Sequence, residues 1–398
     1  MRVVLFSFQG QDGDGVLEAD MLRVRECALE AAQTLALALH MRKRGRLEPF
    51  LVCRKGSFLH WQADALQLPL LALSRPTNPL LSFLLWRKKL RRSEKLLIVA
   101  VGEDALKPGV RLFRRRRMGD AVLAHAFFLR GPRTVQRRSA GQLLAEARHI
   151  LCGSGRISDH VRDVLENLAP SPVSLPILDL LPPGIDTTCL LPAHPQQRFI
   201  FGMGAGFAPH SGAATVVRAM AAIWQRDDVP PWEVRILGDA SPYFREILEE
   251  AERLGVQSRL SLLDTRNTAN VLTTCRAWIA PGLSPDELPE TLWHGFVQGV
   301  PVIASASPLH LERLGQYSGA ALIVPESDPQ ALAGAMIELM RDAELRVRLV
   351  ENGKKVASFA RLTRMAEQAC AMFEGWVASM DPESLQSATA KVSPGDEV

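Results

Sequence analysis

Short apolar runs and helix-patterned stretches alternate along most of this 398-residue chain, and the alternation starts afresh near its middle. A short apolar run, then a Gly- or Asp-bearing loop, then a helical stretch gives a strand that must be covered on both faces. Repeated in series, that unit specifies a doubly wound parallel sheet, the Rossmann-like α/β arrangement. The first set comprises residues 2–8 (RVVLFSF), 50–53, 68–73, the run LLIVAV near residue 100, and 121–124. A helix is predicted over 18–41, closing with Arg42-Lys43-Arg44-Gly45, a basic turn suited to the negative end of a helix dipole. The second set comprises 198–201, 233–237, 260–263, 277–280 and 301–304, with helices over 213–225 and 242–254. Between the sets lies Leu180-Leu181-Pro182-Pro183-Gly184-Ile185-Asp186, a proline-rich linker. The expectation is therefore two Rossmann-like domains facing a cleft, residues 1–186 and 187–380. The second would be closed by two or three helices after Pro329, and residues 381–398 would form a disordered polar tail.

Composition narrows the function classes. With 47% hydrophobic and 23% charged residues the chain is an ordinary globular one. No apolar run reaches the roughly 18 residues of a spanning helix, so a cytoplasmic protein is expected. The six cysteines are scattered without a Cys-x-x-Cys pair and read as reduced, mostly buried thiols. No metal-binding cluster is visible. The net charge of +4 conceals an asymmetry: residues 1–150 hold 27 Lys and Arg against 13 Asp and Glu, the remainder 20 against 30. Much of the basic excess lies in Arg87, Lys88, Lys89, Arg91 and Arg92 and in Arg114, Arg115, Arg116 and Arg117. The first run follows an apolar stretch and reads either as an anchor on anionic membrane at its inner face or as a solvated face. Nucleic acid is disfavoured, because no series of stacking aromatics accompanies the charge.

Three loops carry candidate chemistry. The loop 202–212 contains Gly204, Gly206, His210 and Ser211 ahead of a helix, where glycines let backbone approach a pyrophosphate and helix N-terminal amides attract it. A tight strand-to-helix turn with Ser211 as N-cap is the alternative. The stretch Asp286, Glu287, Leu288, Pro289, Glu290, Thr291, Leu292, Trp293, His294, Gly295 sets acidic and amide groups at a helix start beside a strand end. Asp12 and Asp14, in the Gly/Asp loop after the first strand, would bind acceptor hydroxyls or be surface turn acids.

Several motifs in order resemble the retaining family-4 glycosyltransferases, over residues 1–378. Pro183-Gly184-Ile185-Asp186 resembles their Pro-Asn-Gly-Val-Asp, and Leu237-Gly238-Asp239 their Val-Gly-Asp-Gly-Pro. The Asp286 loop followed by Gly299-Val300-Pro301-Val302-Ile303-Ala304-Ser305 resembles their donor site, and Asp328-Pro329 and Asp342-Ala343-Glu344 their closing helices. The resemblance implies a GT-B fold, metal-independent transfer from a nucleotide-sugar, and no further cofactor. It implies a glycan or lipid-linked acceptor, as in cell-envelope polysaccharide or lipopolysaccharide synthesis. Asp286 would receive a sugar hydroxyl, and His125, expected to follow a strand and point to the cleft, would touch the donor sugar. Gly238 and the Asp286 loop would line the donor.

Departures from that pattern are specific. Met203 or Gly204 stands where the family has a diphosphate-binding arginine, Pro209-His210-Ser211-Gly212 replaces a lysine turn, and His294 replaces a ribose-binding glutamate. His210 is the nearest substitute cation, and His294 accepts one hydrogen bond and donates one where a carboxylate accepts two. Two rivals stay open: a GT-B scaffold without catalysis acting as a partner subunit, and a nucleotide-sugar epimerase.

Overall fold

The computed structural model describes residues 2–7, 18–73, 96–102, 105–115, 121–127, 138–168, 175–185, 198–204, 211–238, 242–264, 268–281, 290–314 and 319–378. They form two compact units. One runs to Gly184 and is rejoined by the helix that starts at Leu362; the other is Ile185–Arg361.

Unit 1 is a seven-stranded sheet: β1 (Arg2–Ser7), β2 (Glu48–Arg54), β3 (Leu70–Leu73), β4 (Leu96–Val101), β5 (Ala121–Phe127), β6 (His149–Cys152) and β7 (Ile177–Leu180). The spatial order is β3-β2-β1-β4-β5-β6-β7, and every pair is parallel. The helices are α1 (Glu18–Arg44), α2 (Phe58–Ala65), α3 (Leu106–Arg115), α4 (Arg138–Ala145) and α5 (Gly155–Leu168). All six side chains of β4 are buried, which is why its sequence is apolar without alternation: helices cover both faces. The basic turn 42–44 closes α1 from inside the helix, and Gly45, at φ 70°, ends it by donating to the Met41 carbonyl.

Unit 2 is a six-stranded sheet: β8 (Phe199–Met203), β9 (Trp232–Leu237), β10 (Leu260–Leu263), β11 (Ala277–Ala280), β12 (Val302–Ser305) and β13 (Ala321–Val324). Its order, β10-β9-β8-β11-β12-β13, repeats that of unit 1 from its first six strands, again all parallel. The helices are α6 (Ala213–Ile223), α7 (Pro242–Arg253), α8 (Thr268–Thr274), α9 (Glu290–Gln298), α10 (Pro308–Leu314), α11 (Pro329–Arg341) and α12 (Ala343–Phe359). Gly299, at φ 73°, stops α9, and Val300 N donates back to Gly295 O, so the chain turns directly into β12. The two Asp-led motifs start helices: Asp328 accepts from Gln330 N and Ala331 N at 3.0 Å, and Asp342 from Leu345 N at 2.7 Å.

The expected boundary needs one correction. The last helix, α13 (Leu362–Ala378), does not close the second domain but packs with unit 1, burying Met365, Ala366, Cys370 and Phe373 against the core of β1, β4 and α1. Its Trp376 stacks on His149 at the start of β6, with ring centroids 4.2 Å apart. The Gln33 side chain of α1 holds the end of the unit, donating to Gly184 O at 2.7 Å and accepting from Gly184 N at 2.8 Å. The expected tail, 381–398, lies outside the described residues.

Cys53, Cys152, Cys275 and Cys370 are free and buried, and burial raises each thiol to about 11 or 12. They are inert packing residues. Among the described residues no helix is long and apolar enough to cross a membrane.

Candidate donor site at the switch point of unit 2

In an open parallel sheet, ligands bind beyond the carboxyl ends of the strands where the strand order reverses. In unit 2 that reversal falls between β8 and β11, which pair with Gly202 opposite Trp278. Trp278 is fully buried, and its ring runs along β8 in the space side chains of that strand would fill. A Cβ on Gly202 would stand 2.6 Å from the ring, and one on Gly204 2.8 Å from it. Both positions are glycine because the indole takes their volume; Gly202 is buried beneath it, and Gly204, just past the strand, is half-buried.

Helix α9 approaches the same ring from the next layer. A Cβ on Gly295 would lie 2.7 Å from Trp278 Cβ and 2.5 Å from Val302 Cγ2, so only glycine permits this contact. Leu292, Trp293 and Phe296 bury the apolar side of α9, and Phe296 fills the space a side chain on Gly353 would need. His294 is half-buried and meets Trp278 edge to face, with centroids 5.5 Å apart at 85°. Its Nδ1 is 3.4 Å from where a Cβ on Gly204 would be, so the structure brings Gly204 and His294 side by side.

Ser211 and Gly212 lie at the start of α6. The N-cap is Gly212, at φ 77°, and not Ser211, whose hydroxyl accepts weakly from Ala213 N at 3.4 Å. Gly238 ends β9, donating to Leu263 O at 2.9 Å. Thr291 lies in the first turn of α9. Gly206, His210, Asp286, Glu287, Leu288 and Pro289 lie outside the described residues, as do Asp12, Asp14, Arg87, Lys88, Lys89, Arg91, Arg92, Arg116 and Arg117.

Neighbouring strand ends add polar groups, of which sequence reasoning missed His310, Thr215 and Ser327. His310 is buried, with Nδ1 3.0 Å from Ser305 O at the end of β12. That carbonyl can only accept, so Nδ1 carries the proton, and burial keeps the ring neutral. A small cavity beyond β11, β12 and β13 is lined by Thr215, Pro281, Ser305, Ser327 and Asp328. The order of strands would have pointed to these residues; their individual motifs do not.

Two expected residues sit differently from expectation. His125 lies within β5, not after it, and is fully buried on the face covered by α4. Its Nε2 is 3.2 Å from Leu143 O, and burial lowers its pKa to about 4, so it is a neutral core imidazole presenting no surface. Arg114 is exposed, but its guanidinium pairs in two-pronged fashion with Glu146, so its charge is partly answered within unit 1. Arg115 ends α3. Among the described residues no group of three candidate ligands could hold a metal ion.

Residues 192–356, nearly the whole of unit 2, match the family model described as "Glycosyl transferases group 1". No curated protein is similar enough in sequence to count as a match. Among solved structures, Anabaena Alr3699/HepE in complex with UDP and glucose superposes with a TM-score of 0.66 at 14% identity, covering 94% of this chain and 100% of that one. A glycosyltransferase from Rickettsia africae gives 0.69 at 13% identity, covering 94% and 98%. The lipopolysaccharide outer core galactosyltransferase WaaB gives 0.62 at 12% identity, covering 94% and 100%. The chain thus has the two-sheet α/β architecture of GT-B glycosyltransferases, and its second unit carries the group 1 glycosyl transferase pattern.

Proposed function

We propose that the protein is a glycosyltransferase, transferring a sugar from a nucleotide-sugar held at the β8/β11 switch point to a glycan or lipid-linked acceptor. The observation that carries the reading is the coincidence of the family match with two glycines, Gly202 and Gly204, at the strand end of the switch point. Bare backbone at Gly204 and the N-termini of α6 and α9 supply amide donors for a diphosphate without a cation. His294 offers one donor and one acceptor to ribose hydroxyls. Asp286 would receive a sugar hydroxyl. The chemistry we expect is retaining, with the departing phosphate taking the acceptor's proton, so no protein base is required.

HepE is described in complex with UDP and with UDP-glucose, which makes UDP-glucose the first donor to try. The test is release of nucleoside diphosphate from UDP-, GDP-, ADP- and dTDP-sugars in the presence of glycan and lipid-linked acceptors. Acceptor-dependent release from one donor supports transfer. Turnover of the donor without acceptor would favour an epimerase, and binding without turnover a scaffold.

The acceptor side is proposed to face anionic membrane. Supporting this, the basic excess lies in residues 1–150, and α2 exposes Phe58 and Trp61 three residues apart beside Lys55. Binding to anionic vesicles should fall as salt rises, and should weaken when Arg114–Arg117 are neutralised. Equal binding by variant and parent would make those charges a solvated face.

A further inference from the structure

We propose that Trp278 is a positioning residue for His294, fixing the imidazole over the bare end of β8. The inference rests on the donor-site reading above and deepens it. Trp278 has no exposed surface, so it cannot touch a ligand; whatever it does for binding it does through its neighbours.

Two elements converge on Trp278, and three glycines mark where they do so: Gly202 and Gly204 from the β8 strand and its end, Gly295 from α9. The contact at Gly295 sets how closely α9 approaches β11, and hence how high His294 stands above the sheet. The edge-to-face contact then restricts how the imidazole rotates, because such aromatic pairs have a preferred geometry. Gly204 completes the arrangement, because a side chain there would press on the indole, 2.8 Å from Trp278 Cζ2, and touch the imidazole, 3.4 Å from His294 Nδ1. The tryptophan, the glycines and the histidine thus behave as one set. A smaller residue at 278 would leave a cavity into which His294 could turn, away from Gly204.

A double-mutant cycle separates positioning from packing. Donor affinity would be measured for the parent, Trp278→Phe, His294→Ala and the double variant, with thermal stability recorded for each. Positioning predicts that Trp278→Phe weakens donor binding roughly tenfold in the parent background and has no effect once His294 is alanine. Equal losses in both backgrounds, or none in either, would overturn it and leave Trp278 a core residue. Parent protein that binds no donor, or His294→Ala that binds as well as parent, would count against the donor site instead. A second readout needs no donor and no loss of fold. The His294 ring resonances and titration midpoint, followed by NMR, should move in Trp278→Phe and in Gly204→Ala. Resonances and midpoint unchanged in both variants would overturn the positioning role directly.

Discussion

The two units share one strand order and differ at the point where that order reverses. In unit 1 the reversal pairs β1 with β4, and Leu5 faces Val99, both fully buried aliphatics. In unit 2 the reversal pairs Gly202 with Trp278, and the neighbouring Gly204 adds no side chain beyond the strand end. Topology makes the reversal available as a site in both units; the side chains decide which one carries glycine rather than an aliphatic there. Charge divides the chain in the same sense, with the basic excess in residues 1–150 and the acidic excess after them.

The largest expected effect tests how far that difference is built in. Gly202→Val would drive a side chain into the indole, so unit 2 should lose about 3 kcal/mol or fail to fold, read by urea denaturation. Val99→Ala, at the matching register of unit 1, removes atoms and forces nothing, and should cost less. A Gly202→Val protein as stable as the parent would mean the Trp278 ring moves aside freely.

Acid should weaken unit 1 through His125. Its pKa falls from 6.5 to about 4 on folding because burial disfavours the charged ring. The unfolded chain then binds a proton that the native state refuses, so the stability is full above pH 6.5 and is lost as pH falls toward 4, by roughly 3 kcal/mol. His125→Gln should flatten that acid limb. An unchanged pH dependence of unfolding would show that the ring is not buried neutral.

Smaller effects attach to the two Asp-led motifs. Asp328→Ala and Asp342→Ala should each cost about 1 kcal/mol in denaturation, and Asp342→Ala should leave donor binding alone. These motifs support the resemblance because helices need capping at those points, and their carboxylates serve the fold.

The same distinction explains what was legible in the sequence. Strands buried on both faces announced themselves as apolar runs, LLIVAV above all, and the capped helices by Asp-Pro and Asp-Ala-Glu. β6, β7 and β13 did not stand out: each is four residues long, β6 opens on His149, and the edge strands β7 and β13 carry exposed positions. α13 read as a closing helix of the second domain because an apolar face shows that a helix packs, not on which sheet. At the site, His294 and Gly204 could be singled out from sequence order alone. Trp278 could not, since a tryptophan in an apolar run reads as core; only the three glycines against its ring reveal its second role. His125 was misplaced for the complementary reason: a histidine near a strand end and one inside the strand differ by two residues of register and by all of their solvent exposure.

The central claim is that a nucleotide-sugar sits at the β8/β11 end of unit 2, and titration calorimetry tests it most directly. UDP-, GDP-, ADP- and dTDP-sugars would be titrated into the parent, His294→Ala and Asp286→Ala, with thermal stability as the control for fold. The account predicts saturable binding of one donor, weakened roughly tenfold or more in each variant, about 1.4 kcal/mol, with little change in stability. Donor binding that is absent in the parent at millimolar concentration, or unaffected by both substitutions, would contradict it.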